Sequence, residues 1–395
     1  MYLWPREIQN IVEGVLQSEN PVRYLERRKD DPWAQEIIFL LFDGSQTTNF
    51  REISHEFCER KYNIVNLGCY EKTIVLRASA FLEGREEMPI KTEYLVNLDS
   101  NIASFLPQIL RKTQVEEGFF AFLKYIKEWN LNLSMLPYVL EDSLNATGMK
   151  NDARAYECLL GFFAFDRLTP QELEMLPCVP EADDYCCADH AWAEMKHTRF
   201  YQRGEERRVR SIYCFLLKVY MIQFQSKRSP ENKLLELFRF VNEELGVYFE
   251  FGMLLAYWYF QKSQACVTQF FQKVQPKSKN KLKDIEGMAW DLFHLWDMPT
   301  EMAVLTRQDR AIVLQALATH DDALAKIAKL NPITRMAFYQ GEAQVTYAFS
   351  VSDILLGNFT VEELLSLKEK RERLCASVDL MGLSAELERK LLAMF

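Results

Sequence analysis

From Ala103 onward, apolar residues recur at three- and four-residue spacing through most of the chain, the periodicity of helices that bury one face. The segments Phe119–Trp129, Ala153–Phe163, Ser211–Gln225, Lys233–Glu244, Met253–Gln264 and Lys283–Trp296 all carry it. Two helix starts are marked chemically, at Thr169-Pro170-Gln171-Glu172 and Thr360-Val361-Glu362-Glu363. There a hydroxyl and a carboxyl three residues later satisfy the free amides of a first turn. With only 14 Gly and 13 Pro in 395 residues there are few breaks, which favours long helices over a many-stranded sandwich. The aromatic stripe Tyr248, Phe249, Phe251, Tyr257, Tyr259 and Phe260 reads as core.

Ahead of this helical region the pattern is mixed. Pro5–Leu16 predicts a helix, with Ile8, Ile11, Val12, Val15 and Leu16 on one face, and a second helix is expected over Asn49–Arg60. Tyr62–Leu67 and Thr73–Phe81 alternate and predict two neighbouring strands. The charged, Gly- and Pro-containing stretch Gly84–Ile90 suggests a boundary, making residues 1–90 a small α+β unit. Glu93–Leu98 is a short apolar run that predicts a buried strand ending at Asp99, Ser100 and Asn101. The Asn331-Pro332 break then sets residues 331–395 apart as a last helical region.

Charge and composition narrow the function classes. The formal net charge of -9 argues against bulk attraction to nucleic acid or acidic membranes, so any polyanion site is local. Met1–Glu13 lacks a basic segment followed by an apolar run, and Val247–Phe260 is interrupted by Glu250 and too short to span a bilayer. Nine scattered cysteines do not suit a disulfide scaffold. The expectation is a cytoplasmic protein with reduced thiols and no membrane partner; its oligomeric state is left open.

Four acidic positions stand out. Asp99 ends the predicted strand in Val96-Asn97-Leu98-Asp99-Ser100-Asn101, at the rim where open α/β sheets bind ligands. The second acid is Glu141 or Glu157, each set among apolar residues of a predicted helix. Asp291 is the third, and Asp321 or Asp322 opens a helix after Thr319-His320. In order and residue type this set resembles the PIN-domain nucleases. Leu98-Asp99-Ser100-Asn101 matches the family's first strand end, Asp291-Leu292-Phe293-His294-Leu295 its helix motif, and Thr319-His320-Asp321-Asp322-Ala323-Leu324 its T-x-D-x-x-L turn. The resemblance covers about residues 94–330 and implies a helix-rich α/β fold: a PIN-like core with a short parallel sheet over 91–330 and a helical insertion over about 169–279.

The resemblance further implies divalent-metal-dependent hydrolysis of phosphodiester bonds, in RNA in preference to DNA, of the kind used by toxins and antiviral defence effectors. It also implies a possible inhibitor or regulatory protein as partner. Mg²⁺ or Mn²⁺ needs oxygen ligands, and Asp99, Asp291 and Asp321 are the expected ones. Ser100, Asn101, Thr319 and Asp322 are expected to support them, Ser100 or Asn101 and Thr319 by orienting a metal-bound water. Between Lys196 and Arg228 nine Lys or Arg stand against two acids, with aromatics interleaved, the signature of a phosphate-tracking groove. Arg199, Arg203, Arg207, Arg208 and Arg210 lie in it, and Lys277, Lys279 and Lys281 follow just before Asp291. Cys178, Cys186, Cys187, His190 and His197, with Asp183, Asp184 and Asp189 among them, lack the paired spacing of a zinc knuckle. Structural zinc is therefore not expected, and that segment reads as a polar loop. His294 reads as a packed residue. The rival to the nuclease reading is a non-enzymatic helical adaptor that binds a protein.

Overall fold

The computed structural model describes residues 4–42, 56–82, 91–112, 115–144, 152–197, 204–225, 227–306 and 311–394. The chain forms two compact units, one of residues 1–139, 149–191 and 295–348 and the other of 140–148, 192–294 and 349–395. It is helix-rich with mixed sheets, as the α/β expectation has it.

All the described strands lie in the first unit. β1 is Ile38–Leu41, β2 Phe57–Glu59, β3 Tyr62–Asn66, β4 Ile74–Arg77, β5 Lys91–Leu98, β6 Asn132–Ser134, β7 Ala311–Thr319, β8 Ile333–Tyr339 and β9 Glu342–Tyr347. A five-stranded sheet has the order β2-β3-β7-β5-β6. Its centre, β7, is buried along all nine residues and reads as a near-continuous apolar run, as a strand covered on both faces must. β5 lies parallel to β7 with Leu98 opposite Ala318, and β6 lies parallel on the far side of β5 after a helical crossover. β3 runs antiparallel to β7 with Asn63 opposite Thr319. The C-terminal ends of β5 and β7 and the N-terminal end of β3 thus share one edge.

The second sheet, β4-β1-β8-β9, is antiparallel throughout. Ile8, Ile11, Val12 and Val15 of the helix Arg6–Gln17 pack into a core with Phe39 and Leu41 of β1, Leu76 of β4 and Ala337 of β8. Arg335 of β8 donates to the carbonyls of Val15, Leu16 and Ser18, satisfying acceptors that the helix end leaves open. The sheets meet where the Ile333 amide donates to the Leu67 carbonyl at 2.8 Å beside Gly68. A Cβ on Gly68 would stand 2.8 Å from the Ile333 carbonyl oxygen, so only glycine lets the backbones approach there.

These pairings revise the expected organisation. The chain does not divide at residue 90, because β3 pairs with β7 and β1 with β8. Nor is 331–395 wholly helical: β8 and β9 occupy 333–347 and complete the second sheet. The expected pair of neighbouring strands lands in two different sheets, and Thr73–Phe81 turns helical at Ala78. Of the helix expected over Asn49–Arg60, residues 49–55 lie outside the described residues and Phe57–Glu59 is β2. The Cys/His segment is a helix, Ala182–His197, not a loop, and both capping boxes are formed.

The second unit is helical. Its core helix Glu205–Gln225 buries Phe215, Leu216, Val219 and Tyr220, and Tyr259 stacks on Phe271 at 4.4 Å, so the aromatic stripe does supply core. The helix Pro230–Phe240 runs on through a π-helical turn, Val241–Leu245, and ends at Gly246 with φ 75°. Among the described residues no helix is long and apolar enough to cross a membrane.

Candidate functional site

The sheet edge described above gathers several of the expected residues. Asp99 follows β5 directly, its amide donating to the Ala318 carbonyl, and its side chain is 2 % exposed. A carboxylate buried so deeply requires donors. The Thr319 hydroxyl donates to Asp99 Oδ2 at 2.7 Å and the Asn101 amide donates to the same oxygen at 2.6 Å. Thr319 Oγ1 also accepts from Asn101 Nδ2 at 3.2 Å and from the Asp321 amide at 3.1 Å, so this hydroxyl uses its proton and both lone pairs. Asn101 Oδ1 accepts the His320 amide at 2.8 Å, fastening the two strand ends together. Further back along the same strands, Asn97 donates to Gln315 Oε1 at 2.8 Å.

Asp321 caps the helix Asp322–Leu330, its Oδ1 accepting the amides of Ala323 and Leu324 at 2.8 and 3.1 Å. Beside it, Asp322 accepts from Asn63 of β3 at 3.2 Å. The His320 ring lies 4.6 Å from Tyr62 and 5.8 Å from Phe105, centroid to centroid. The Tyr62 hydroxyl donates to Glu116 Oε2 at 2.8 Å, and burial, then that carboxylate, pushes its pKa up. Burial works against the Glu116 charge, but the Phe119 amide, the Tyr62 hydroxyl, the Gly118 amide and nearby His320 outweigh it and hold Glu116 below the usual carboxylate range.

Tyr62, Asn63, Phe105 and Glu116 were not among the expected site residues. Alternation places Tyr62 and Asn63 in a strand, but the register that sets Asn63 opposite Thr319 depends on a partner more than 250 residues away.

The remaining acids have other surroundings. Glu157 is ion-paired with Arg111. Glu141, partly buried, sits on the helix Leu136–Leu144 and belongs to the second unit, as does Asp291, whose carboxylate holds Lys273 at 3.0 Å. Asp297 and Glu301, one turn apart on the helix Lys281–Leu305, are buried acids of the first unit that the motif reading passed over.

The described arginines of the expected basic groove are engaged within the second unit. Arg199 and Arg203 lie outside the described residues. Arg207 donates to the carbonyls of Cys375 and Val378, Arg208 lies over the Phe293 ring, Arg210 faces Glu206, and Lys281 donates to the Ser278 carbonyl. Lys277 and Lys279 are exposed. His294 is buried against Trp290 and Phe293, and burial pushes its pKa down to about 3.

Among the described residues no three His, Cys, Asp or Glu side chains converge to hold a metal. Cys186 and Cys187 are exposed, while the buried Asp184 pairs with Arg167. Magnesium asks for less than a three-acid cage: it keeps several waters and is held by one or two carboxylates together with substrate phosphate. Asp99 and Asp321 offer carboxylate oxygens, and in kind these fit such a hard cation, while Thr319 and Asn101 orient Asp99.

Comparison of the chain with protein-family models, curated proteins and solved structures finds no match.

Proposed function

We propose that the chain is a divalent-metal-dependent phosphodiester hydrolase that acts on RNA in preference to DNA. The observation that carries this reading is the shared edge of β5 and β7, where Asp99 and Asp321 follow adjacent parallel strands and Thr319 donates to the Asp99 carboxylate and accepts the Asp321 amide. Ligands of α/β sheets bind outside the carboxyl ends of such strands. The PIN-like order of Asp99, Thr319 and Asp321 supports the same reading.

Mg²⁺ or Mn²⁺ bound there would lower the pKa of a water and neutralise charge on the transferring phosphoryl group. Asp99 and Asp321 would hold the ion. Thr319 and Asn101 fix the rotamer of Asp99, so that little reorganisation is left for the reaction itself. Ser100, whose hydroxyl lies 3.4 Å from Asp99 Oδ1, is set to orient a water from the other side. A toxin or defence role, restrained by an inhibitor or regulatory protein, would suit this activity.

The test is cleavage of a labelled RNA and single-stranded DNA pool with and without Mn²⁺, comparing wild type with Asp99→Asn and Asp321→Asn after circular dichroism confirms folding. Metal-dependent cutting, faster on RNA and reduced about 100-fold or more by Asp99→Asn, is expected. Variants as active as wild type would overturn the site. A second reading, the helical adaptor, is favoured by the exposed apolar residues Phe349, Leu356, Val361 and Leu365 of the second unit. It predicts neither cutting nor Mn²⁺ binding.

A further inference from the structure

Five residues beyond Asp99 the chain enters the wall of a cavity of roughly 400 Å³, which of the expected site residues contains Glu157. Ser104, Pro107, Gln108, Arg111 and Lys112 form one side, and Ala153, Arg154 and Glu157 of the helix Asp152–Arg167 form the other. Gly161 holds the two sides together: a Cβ there would stand 2.8 Å from the Leu106 backbone, so the helix rests directly on the turn after Ile102–Ala103. Ser104 ties the wall to the sheet edge, its hydroxyl donating to the Asn101 carbonyl at 3.2 Å and its amide to Ser100 at 3.1 Å.

The described lining is mainly basic. Among its described residues Arg111, Lys112 and Arg154 face one acid, Glu157, in a chain whose net charge is -9. Glu157 pairs with Arg111 at Nη2. A guanidinium has five N–H donors, so this pairing leaves Arg111 further donors for a second anion. Lys112 and Arg154 are exposed. Ser104 and Gln108 add neutral hydrogen-bonding groups, and among the described lining residues no aromatic side chain would select an apolar ligand.

We infer that this cavity binds phosphate groups of a single-stranded RNA backbone leading away from the Asp99 edge, with Arg111, Lys112 and Arg154 as the contacts. Its use as a substrate subsite rests on the hydrolase reading, whereas its affinity for phosphodiester anions does not. This assignment also relocates polyanion binding from the Lys196–Arg228 stretch to the first unit.

The experiment is fluorescence-polarisation binding of a labelled single-stranded RNA of about a dozen nucleotides to the full chain in EDTA, where a metal-dependent reaction is silent. Arg111→Gln/Lys112→Gln/Arg154→Gln should weaken binding at least about tenfold and lower the log–log salt slope by about 2, since each single-strand phosphate contact contributes about 0.7. Glu157→Gln should tighten binding about twofold or more, a gain that a misfolded variant cannot mimic. RNA affinity unchanged in both variants would overturn the inference. A triple variant that loses inorganic phosphate but keeps RNA would assign the cavity to a small anion and overturn the RNA assignment. Cleavage is scored separately. If the wild type never cuts RNA while the binding pattern holds, the hydrolase reading falls and the pocket stands; if Asp99→Asn abolishes cutting while the triple variant binds normally, the reverse follows.

Discussion

The two units keep polar atoms in their interiors on different terms. In the first, buried polar side chains bond to one another across strands: Asp99 with Thr319 and Asn101, Asn97 with Gln315, Tyr94 with Asn66. In the second, rings pack on rings around Tyr220, Tyr259 and Phe271, the buried Tyr220, Asn242 and Ser211 donate to backbone carbonyls, and the buried His294 has an Nε2 with no hydrogen-bond partner among the described residues. Directional bonds fix rotamers, which a reacting site needs, whereas ring packing fixes volume, which a scaffold needs. The difference teaches where to look for chemistry: in the unit whose buried polar groups are spent on orientation.

Perturbations should separate the two accordingly. The largest effect is expected from Phe271→Ala, which removes a fully buried ring and should destabilise the second unit by about 3–5 kcal/mol in urea unfolding. A loss below about 1 kcal/mol would break the picture of a packing-dominated core. Acid comes next. Unfolded His294 takes up a proton near pH 6.5, whereas the folded imidazole resists to about pH 3, so protons favour the unfolded state between those values. Stability is full above pH 6.5 and falls as pH drops towards 3, and His294→Leu should flatten that component. Parallel pH profiles for the two proteins would refute it.

In the first unit, Thr319→Val leaves Asp99 Oδ2 short of a donor and the Asp321 amide without its acceptor. A cost of about 1–3 kcal/mol is expected. Because Thr319 positions rather than reacts, Thr319→Ser should restore the metal dependence of cutting while Thr319→Val lowers its rate about 10–100-fold. The smallest effect is Thr360→Ala, which opens the second unit's capping box for about 1 kcal/mol, measured by thermal unfolding.

How much of this was legible in the sequence depended on the range of the interaction. The helix behind Pro5, both capping boxes, and β5 ending at Asp99 follow from residues within a few positions of one another. The Thr319–Asp321 turn was readable too, because a hydroxyl and an acid two residues apart suit a strand end that opens a helix. Its neighbours were not: Tyr62, Asn63 and Glu116 join it only through the β3–β7 register and a side-chain bond from strand to helix. Charge counting passed over the surroundings of Arg207 for a related reason. A basic residue's net contribution depends on the carbonyl or carboxylate it meets, and the carbonyls Arg207 meets lie about 170 positions away.

The antiparallel sheet closes late in the life of the chain. β1 finds β4 after some 35 residues, but its other edge waits for β8, with Ile38 opposite Phe338. At ribosomal rates of about 5–20 residues per second, 300 residues take roughly 15–60 s. Throughout that interval Ile38-Phe39-Leu40-Leu41, apolar on both faces, has an unpaired edge of the kind that recruits foreign strands. Damage to the β8–β9 hairpin therefore surfaces at the opposite end of the chain, as a sticky nascent strand in need of a chaperone.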